Sequence, residues 1–317
     1  MDSPVSDSIA LRDRVKAAAL ELGFTTVGIA SLDAFEGAPL VAEWLTAGFQ
    51  GEMEFLKTRP EVFGDINKVL EGAQSAIVVT LNYNQPLRPG TKVARYAIGR
   101  DYHKVLKSKL DHLANEFSSD LGTTRACVDT APLPERELAH RAGLGWFGKN
   151  TNLIDSARGS WFFIGVLLTT RALPPDEPSL GGCGTCTACI DQCPTGAIVQ
   201  LQDRWVVDSR KCISYLTIEH RTEFEESTDL HGWLYGCDIC QEVCPFNQPR
   251  ETQPLRANIT TERDFLQDPF ETTAEEVVNW SEEDWDQATR GKALRRAKLA
   301  QWHRNGQSIL QTDKQKH

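Results

Sequence analysis

Cys183-Gly-Thr-Cys186-Thr-Ala-Cys189-Ile-Asp-Gln-Cys193-Pro194 is the stretch of this 317-residue chain that decides its architecture. It spells C-x2-C-x2-C-x3-C-P, the bacterial ferredoxin run in which three thiolates hold one iron–sulfur cube and the fourth crosses to another. Further on, Cys237, Cys240, Cys244 and Pro245 repeat the spacing in shortened form, and Cys212 supplies the cysteine that a full pair lacks. The ferredoxin rule assigns Cys183, Cys186, Cys189 and Cys244 to one [4Fe-4S] cluster and Cys193, Cys212, Cys237 and Cys240 to the other. Zinc also takes close cysteine pairs, but a zinc site needs four ligands without a crossover and leaves the x2-x2-x3 spacing and both prolines unexplained. Of the nine cysteines only Cys127 is left over, and it reads as a small buried core residue.

The rest of the composition is that of a globular, cytoplasmic protein, in which thiols stay reduced and metal binding outranks disulfides. Met1 to Ala10 lacks the basic and apolar segments of an export signal, and no run reaches the length of a membrane span. A net charge of -10 argues against indiscriminate nucleic-acid coating. Two local basic stretches stand out all the same: Lys92, Arg95, Arg100, Lys104, Lys107 and Lys109, and then Arg290, Lys292, Arg295, Arg296, Lys298 and Arg304. The second reads as a basic helix, either a solvated face offsetting Glu282, Glu283 and Asp284 or a phosphate-binding patch.

Upstream of the cysteines, Ile9, Val15, Ala18, Ala19 and Leu22 recur at helical spacing and stop at Gly23. Thr25 to Ala30 and Ser75 to Leu81 read as strands, the second apolar enough for burial on both faces. A helix is expected from Leu40 to Ala47 and another from Tyr102 to Phe117, with lysines along its outer side. Strands near Thr124 to Val128 and Trp161 to Thr169 bracket a glycine-rich segment, Glu135 to Asn152, that begins as a helix. Pro174, Pro175, Pro178, Gly181 and Gly182 suit a domain boundary. Pro245 to Asp268 reads as irregular, and Ala274 to Gly306 as helical with a break at Asn279 to Glu283. The fold class is α+β, in three parts: residues 1–175, a ferredoxin-like 176–250, and a helical tail, 251–317.

Val128-Asp-Thr-Ala-Pro-Leu-Pro-Glu-Arg-Glu-Leu-Ala-His-Arg-Ala-Gly-Leu-Gly-Trp-Phe-Gly-Lys-Asn-Thr-Asn-Leu-Ile154 joins apolar, glycine and polar residues in one run. Together with Tyr96-Ala-Ile-Gly-Arg-Asp-Tyr-His-Lys104, Lys211-Cys-Ile-Ser-Tyr-Leu-Thr-Ile-Glu219, the cysteine runs and Arg290-Gly-Lys-Ala-Leu-Arg-Arg-Ala-Lys298, it closely resembles the epoxyqueuosine reductase family. The resemblance spans nearly the whole chain, without the long helical-repeat extension of some members. It implies a nitroreductase-like N-terminal domain that binds cobalamin and substrate against the ferredoxin domain. The implied reaction removes the epoxide oxygen of epoxyqueuosine at the tRNA wobble position, giving queuosine. The implied partners are a tRNA with a queuosine-type anticodon and a low-potential electron donor, with the enzyme a monomer off the membrane.

Asp129 occupies the family's proton-donor position. A partly dehydrated carboxyl there is expected to keep its proton to higher pH, the plainer reading being a cap for the helix near Pro134. Asp129, Lys149, Asn150, Asn152 and Leu153 resemble the residues that meet the corrin, with Gly143, Gly145 and Gly148 allowing close approach, and Tyr102 and His103 fall near the same site. Arg290, Lys292, Arg295, Arg296 and Lys298 are the candidate tRNA contacts. A corrinoid reductive dehalogenase would use the same cofactors, but those enzymes usually carry an export signal. A plain electron-transfer module without a substrate pocket is the reading from another class.

Overall fold

The computed structural model describes residues 4–57, 65–86, 90, 92–225 and 228–316. The first part runs α1 (Pro4–Glu21), β1 (Thr26–Ala30), α2 (Ala38–Thr46), β2 (Ser75–Asn82), α3 (Tyr102–Glu116), α4 (Ser118–Leu121), β3 (Thr124–Cys127), α5 (Glu135–Arg141), β4 (Trp146–Phe147), β5 (Leu153–Ile154) and β6 (Phe162–Thr169). Four strands form one antiparallel sheet in the order β1-β2-β6-β3. A strand covered on both sides needs apolar residues on both faces, which is why Ala76 to Val79 of β2 are apolar without a break. Its Ile77, Val79 and Leu81 enter the core under α1 and α3, whereas Ala76 and Val78 enter the core under α5. Leu106, Leu110 and Leu113 of α3 are fully buried in the first of these cores, each stabilising the layer by roughly 1.5–3 kcal/mol. Gly28 in β1 lets α5 close down, because a Cβ there would lie 2.0 Å from the Ala142 carbonyl oxygen.

The second part follows with α6 (Ala188–Asp191), β7 (Ile198–Leu201), β8 (Arg204–Val207), α7 (Ile213–Ile218) and α8 (Ile239–Glu242). Then come α9 (Arg263–Leu266), α10 (Ala274–Val277), α11 (Glu282–Thr289) and α12 (Leu299–Lys316). The last helices are not a tail. Trp302 and Ile309 of α12 share one core with Val277, Trp285, Ile218 of α7, Leu234 and Tyr235 beside the cysteines, and Val93, Ala97 and Ile98 from the first part.

The expected basic helix from Arg290 to Arg304 is also corrected. Arg290 ends α11, Gly291 turns the chain at φ +77, and Ala293–Arg296 is one 3-10 turn before α12 begins. Glycine at positive φ is a usual helix stop, and it lies inside the stretch read as continuous. Among the described residues no helix is long and apolar enough to cross a membrane.

Candidate functional site

Cys183, Cys186, Cys189 and Cys244 line one small cavity together with Asn150, Ile154, Pro245 and Phe246. Burial pushes the Cys189 thiol up to about 11, and its next neighbours in effect are the charges of Cys183 and Cys244. In the other set, burial pushes Cys237 up to about 12, with Cys212 and Cys193 adding to it. Burial also raises Cys240 well above the ordinary thiol value, with Cys212, Cys237 and Cys189 next. Cys183, Cys186, Cys189 and Cys244 thus share one cavity, Cys212 and Cys193 act on Cys237, and Cys240 is influenced by Cys189 as well as by Cys212 and Cys237. Among the described residues no three His, Cys, Asp or Glu side chains converge as closely as a single ion requires. Zinc draws every sulfur to about 2.3 Å, while a cube offers four separate irons that each take one. The donor chemistry of the eight cysteines fits a pair of cubes, and the cavity lies among the four cysteines of one set.

Buried polar contacts fix this region to the sheet. Gln241 of α8 donates to the Tyr83 hydroxyl at 3.1 Å and to the Ser160 carbonyl at 3.1 Å. Asn247 donates to Ser160 Oγ at 2.9 Å and accepts from the Ser160 amide at 2.7 Å. Arg95, seated over the Trp161 ring, reaches the buried Asp238 carboxylate at 2.9 Å.

Asp129 opens a second cluster of groups at the end of β3. Its backbone takes φ +55, a left-handed conformation that Asp tolerates better than most residues, and its amide donates to Glu135 Oε1 at 2.7 Å. It does not cap α5, whose first turn carries no side-chain cap. One carboxylate oxygen accepts from the Tyr102 hydroxyl at 2.9 Å and lies 3.5 Å from His103 Nε2. The other ring nitrogen of His103 is 2.7 Å from Asp101, which also caps α3.

These contacts reverse the protonation expected of Asp129. The His103 hydrogen bond, working against desolvation and helped by Tyr102, holds its carboxyl below the usual range. Burial works against the charged imidazole, but Asp101 and Asp129 outweigh it and raise His103 to about 9. Burial, then the Asp129 charge, pushes Glu135 up to about 8. At neutral pH the protons thus sit on His103, Tyr102 and Glu135, around a charged Asp129. Asp101, Glu135 and Arg136, which donates to the Thr151 carbonyl at 2.6 Å, were not singled out in the sequence. The acid before a helix start at Asp101 was the one local signal available.

Rings join the two centres: Tyr102 is 6.4 Å from Tyr96, and Tyr96 is 6.2 Å from Tyr235, two residues before Cys237. Tyr102 also stacks on Phe163 at 4.1 Å, so it is at once core and site.

The other expected contacts are distributed differently. The Lys149 ammonium donates to the carbonyls of Gly184 and Cys186 at 3.0 and 2.9 Å, and its amide to Cys183 Sγ at 3.3 Å. Asn150 is buried and donates to the Cys240 carbonyl. Leu153 is buried in the core under α5. Gly143, Gly145 and Gly148 make their close approaches to the chain's own Glu177, Ile154 and Asn150. Asn152 is half-buried, its amide turned to Asn150 Oδ1 at 3.2 Å. Among the basic candidates, Arg290 and Arg295 share Asp286, Arg296 pairs with Glu219, and Lys292 is buried against Asp268. Lys298 lies 5.9 Å from the Trp285 ring. Cys127 is 2% exposed, in the core.

Residues 182–247 match a family model described as a 4Fe-4S double cluster binding domain. A double-cluster domain whose rings run to a proton-holding group belongs to an iron–sulfur oxidoreductase. Residues 64–130 match a second model, epoxyqueuosine reductase QueG. An epoxyqueuosine reductase of Synechococcus sp. (strain RCC307) is 41% identical, covering 93% of this chain and 92% of its own. That of Gloeobacter violaceus is 42% identical, covering 94% and 95%. The chain belongs to the epoxyqueuosine reductase family. Its fold matches, with a TM-score of 0.78 and 25% identity, the crystal structure of an epoxyqueuosine reductase with an epoxyqueuosine-modified tRNA-Tyr stem loop, covering 95% of this chain and 81% of that one.

Proposed function

We propose that this chain reduces the epoxide of epoxyqueuosine at the tRNA wobble position to queuosine, in the cytoplasm, as a monomer fed by a low-potential one-electron donor. Both carbon–oxygen bonds of the epoxide break and a carbon–carbon double bond forms. The oxygen leaves as water, which takes up two electrons and two protons. Family membership supports the reaction, and one observation of the site carries it: a group holding ionisable protons, Tyr102–Asp129–His103, stands a short chain of rings away from the cysteines.

We assign the eight cysteines to two [4Fe-4S] clusters in the sets 183, 186, 189, 244 and 193, 212, 237, 240, within the domain organisation 1–175, 176–250 and 251–317. Cobalamin is the further cofactor of this reading. Of the residues that the resemblance implies for it, Asp129, with a side chain 67% exposed, and half-buried Asn152 keep polar groups open to a large ligand; Lys149, Asn150 and Leu153 are committed elsewhere. When bound, the clusters and the corrinoid supply electrons one at a time and a nucleophilic metal. Asp129 orients the reacting oxygen and relays protons to it. His103, charged below about 9 and braced by Asp101, refills Asp129, and Tyr102 fixes its carboxylate.

For the tRNA, two arginines on one carboxylate leave a net positive charge at Arg290, Asp286 and Arg295, and Lys298 adds to it. This patch, rather than Lys292 and Arg296, would meet phosphates.

The experiment supplies anaerobically reconstituted protein with cobalamin and a reductant and then with an epoxyqueuosine-containing anticodon stem-loop. Corrin bands beside the cluster absorbance and formation of queuosine are expected. Cluster absorbance without corrin binding would favour an electron-transfer module, and corrin binding without queuosine would exclude this substrate.

A further inference from the structure

The segment between β4 and β5 is built to face cysteine sulfur. Gly148 N donates to the Asn152 carbonyl at 2.8 Å, Thr151 N to the Gly148 carbonyl at 2.9 Å, and Thr151 sits at φ +65. These bonds close a tight turn, and the amide of Lys149 points out of it to Cys183 Sγ. The Lys149 ammonium ties the turn to the carbonyls of Gly184 and Cys186. At its centre Asn150 is 4% exposed and lines the cavity whose other walls include Cys183, Cys186, Cys189 and Cys244. Its Nδ2 donates to the carbonyl of Cys240, a cysteine of the other set, at 3.2 Å, and its Oδ1 accepts from Asn152. A side-chain amide carries two donor hydrogens. The Cys240 carbonyl takes one of them.

We propose that Asn150 is a positioning residue for electron transfer: its remaining amide hydrogen donates to sulfur of the cluster held by Cys183, Cys186, Cys189 and Cys244, while its bond to Cys240 sets that cluster's place against the second. The inference rests on the cluster assignment made above. Reduction adds negative charge to a cube, so an N–H aimed at its sulfurs favours the reduced form and raises the potential. In a buried cavity that dipole is poorly screened by water. Asn150 thereby raises the midpoint of this cluster, and it leaves the second cluster nearly unaffected.

The test is an EPR-monitored redox titration of the anaerobically reconstituted full chain, with iron quantified beside it. In Asn150→Leu, iron stays at about eight atoms per chain, one midpoint moves to a more negative value and the other stays. Asn150→Asp keeps the volume and an acceptor but replaces the donors with charge, and its shift is in the same direction and larger. Wild-type titration in both variants overturns the proposal, as does movement of both midpoints together. Loss of iron from both variants also overturns it, because Asn150 would then only hold the loop. Iron well below about eight atoms in the unsubstituted chain would instead refute the cluster assignment itself.

Discussion

Asp129 is charged, strained and two-thirds open, with its protons stored on neighbours. A group that relays protons contributes about 10²–10⁴-fold to rate, so Asp129→Asn should lower turnover by that factor with iron and cobalamin content unchanged. Full turnover in that variant would remove Asp129 from the scheme. The pH dependence belongs to His103. Its folded value, about 9, lies above that of a free imidazole, so the stability it adds is complete below about 6.5 and is lost as pH rises through about 9. The proton supply follows the same sign: turnover should fall on the alkaline side near pH 9, and His103→Gln should lack that limb. An unchanged limb in the variant would assign it to another group. The family resemblance placed Tyr102 and His103 near Asp129, but their hydrogen bonds were not legible at single positions, because the residues lie in different parts of the sequence and the fold sets the contacts. The expectation of a raised carboxyl considered burial and missed the donors.

Among the elements, those that follow one strong period were readable. β2 carries the apolar run Ala76 to Val79 and α3 an apolar stripe, and their bounds agree with the sequence reading to within a residue or two. The hairpin of β7 and β8 was not read. Its turn is Gln202-Asp203 with Gln202 at φ +53, a conformation for which the sequence offers no glycine or asparagine signal. The C-terminal helices were read as helices but not as core, since amphipathic spacing says that one face is buried and not against what. Trp302 is fully buried among residues from all three parts of the chain. Trp302→Ala should therefore cost about 3–5 kcal/mol. In chemical denaturation the bleaching of cluster absorbance and the loss of helix signal should fall in one transition. Helix loss well ahead of bleaching would mean that α12 is an independent appendage.

At the scale of the whole molecule, an acidic chain of net charge -10 has to hold a polyanion. Among the described residues many basic side chains are paired with carboxylates: Arg95 with Asp238, Arg100 with Asp264, Lys107 with Asp111 and Lys109 with Glu262, besides the pairs near α11. Paired cations release fewer counterions, so affinity for the stem-loop should fall with salt by less than the number of basic residues would imply. Lys298→Ala should weaken binding to all sequences alike and reduce the slope of log affinity against log salt by about 1. An unaltered slope would take Lys298 out of the interface.

The cavity that brings Cys244 to Cys183, Cys186 and Cys189 also dictates when this protein can be finished. In the assignment proposed above, neither foursome is complete until the ribosome has made its final member, and for the set begun by Cys183, Cys186 and Cys189 that member is Cys244, the last cysteine of the chain. Metal delivery must therefore wait until most of the polypeptide has emerged, and until then the waiting thiols stand exposed to oxidation. Cells short of iron carriers should accumulate full-length chains whose thiols are oxidised.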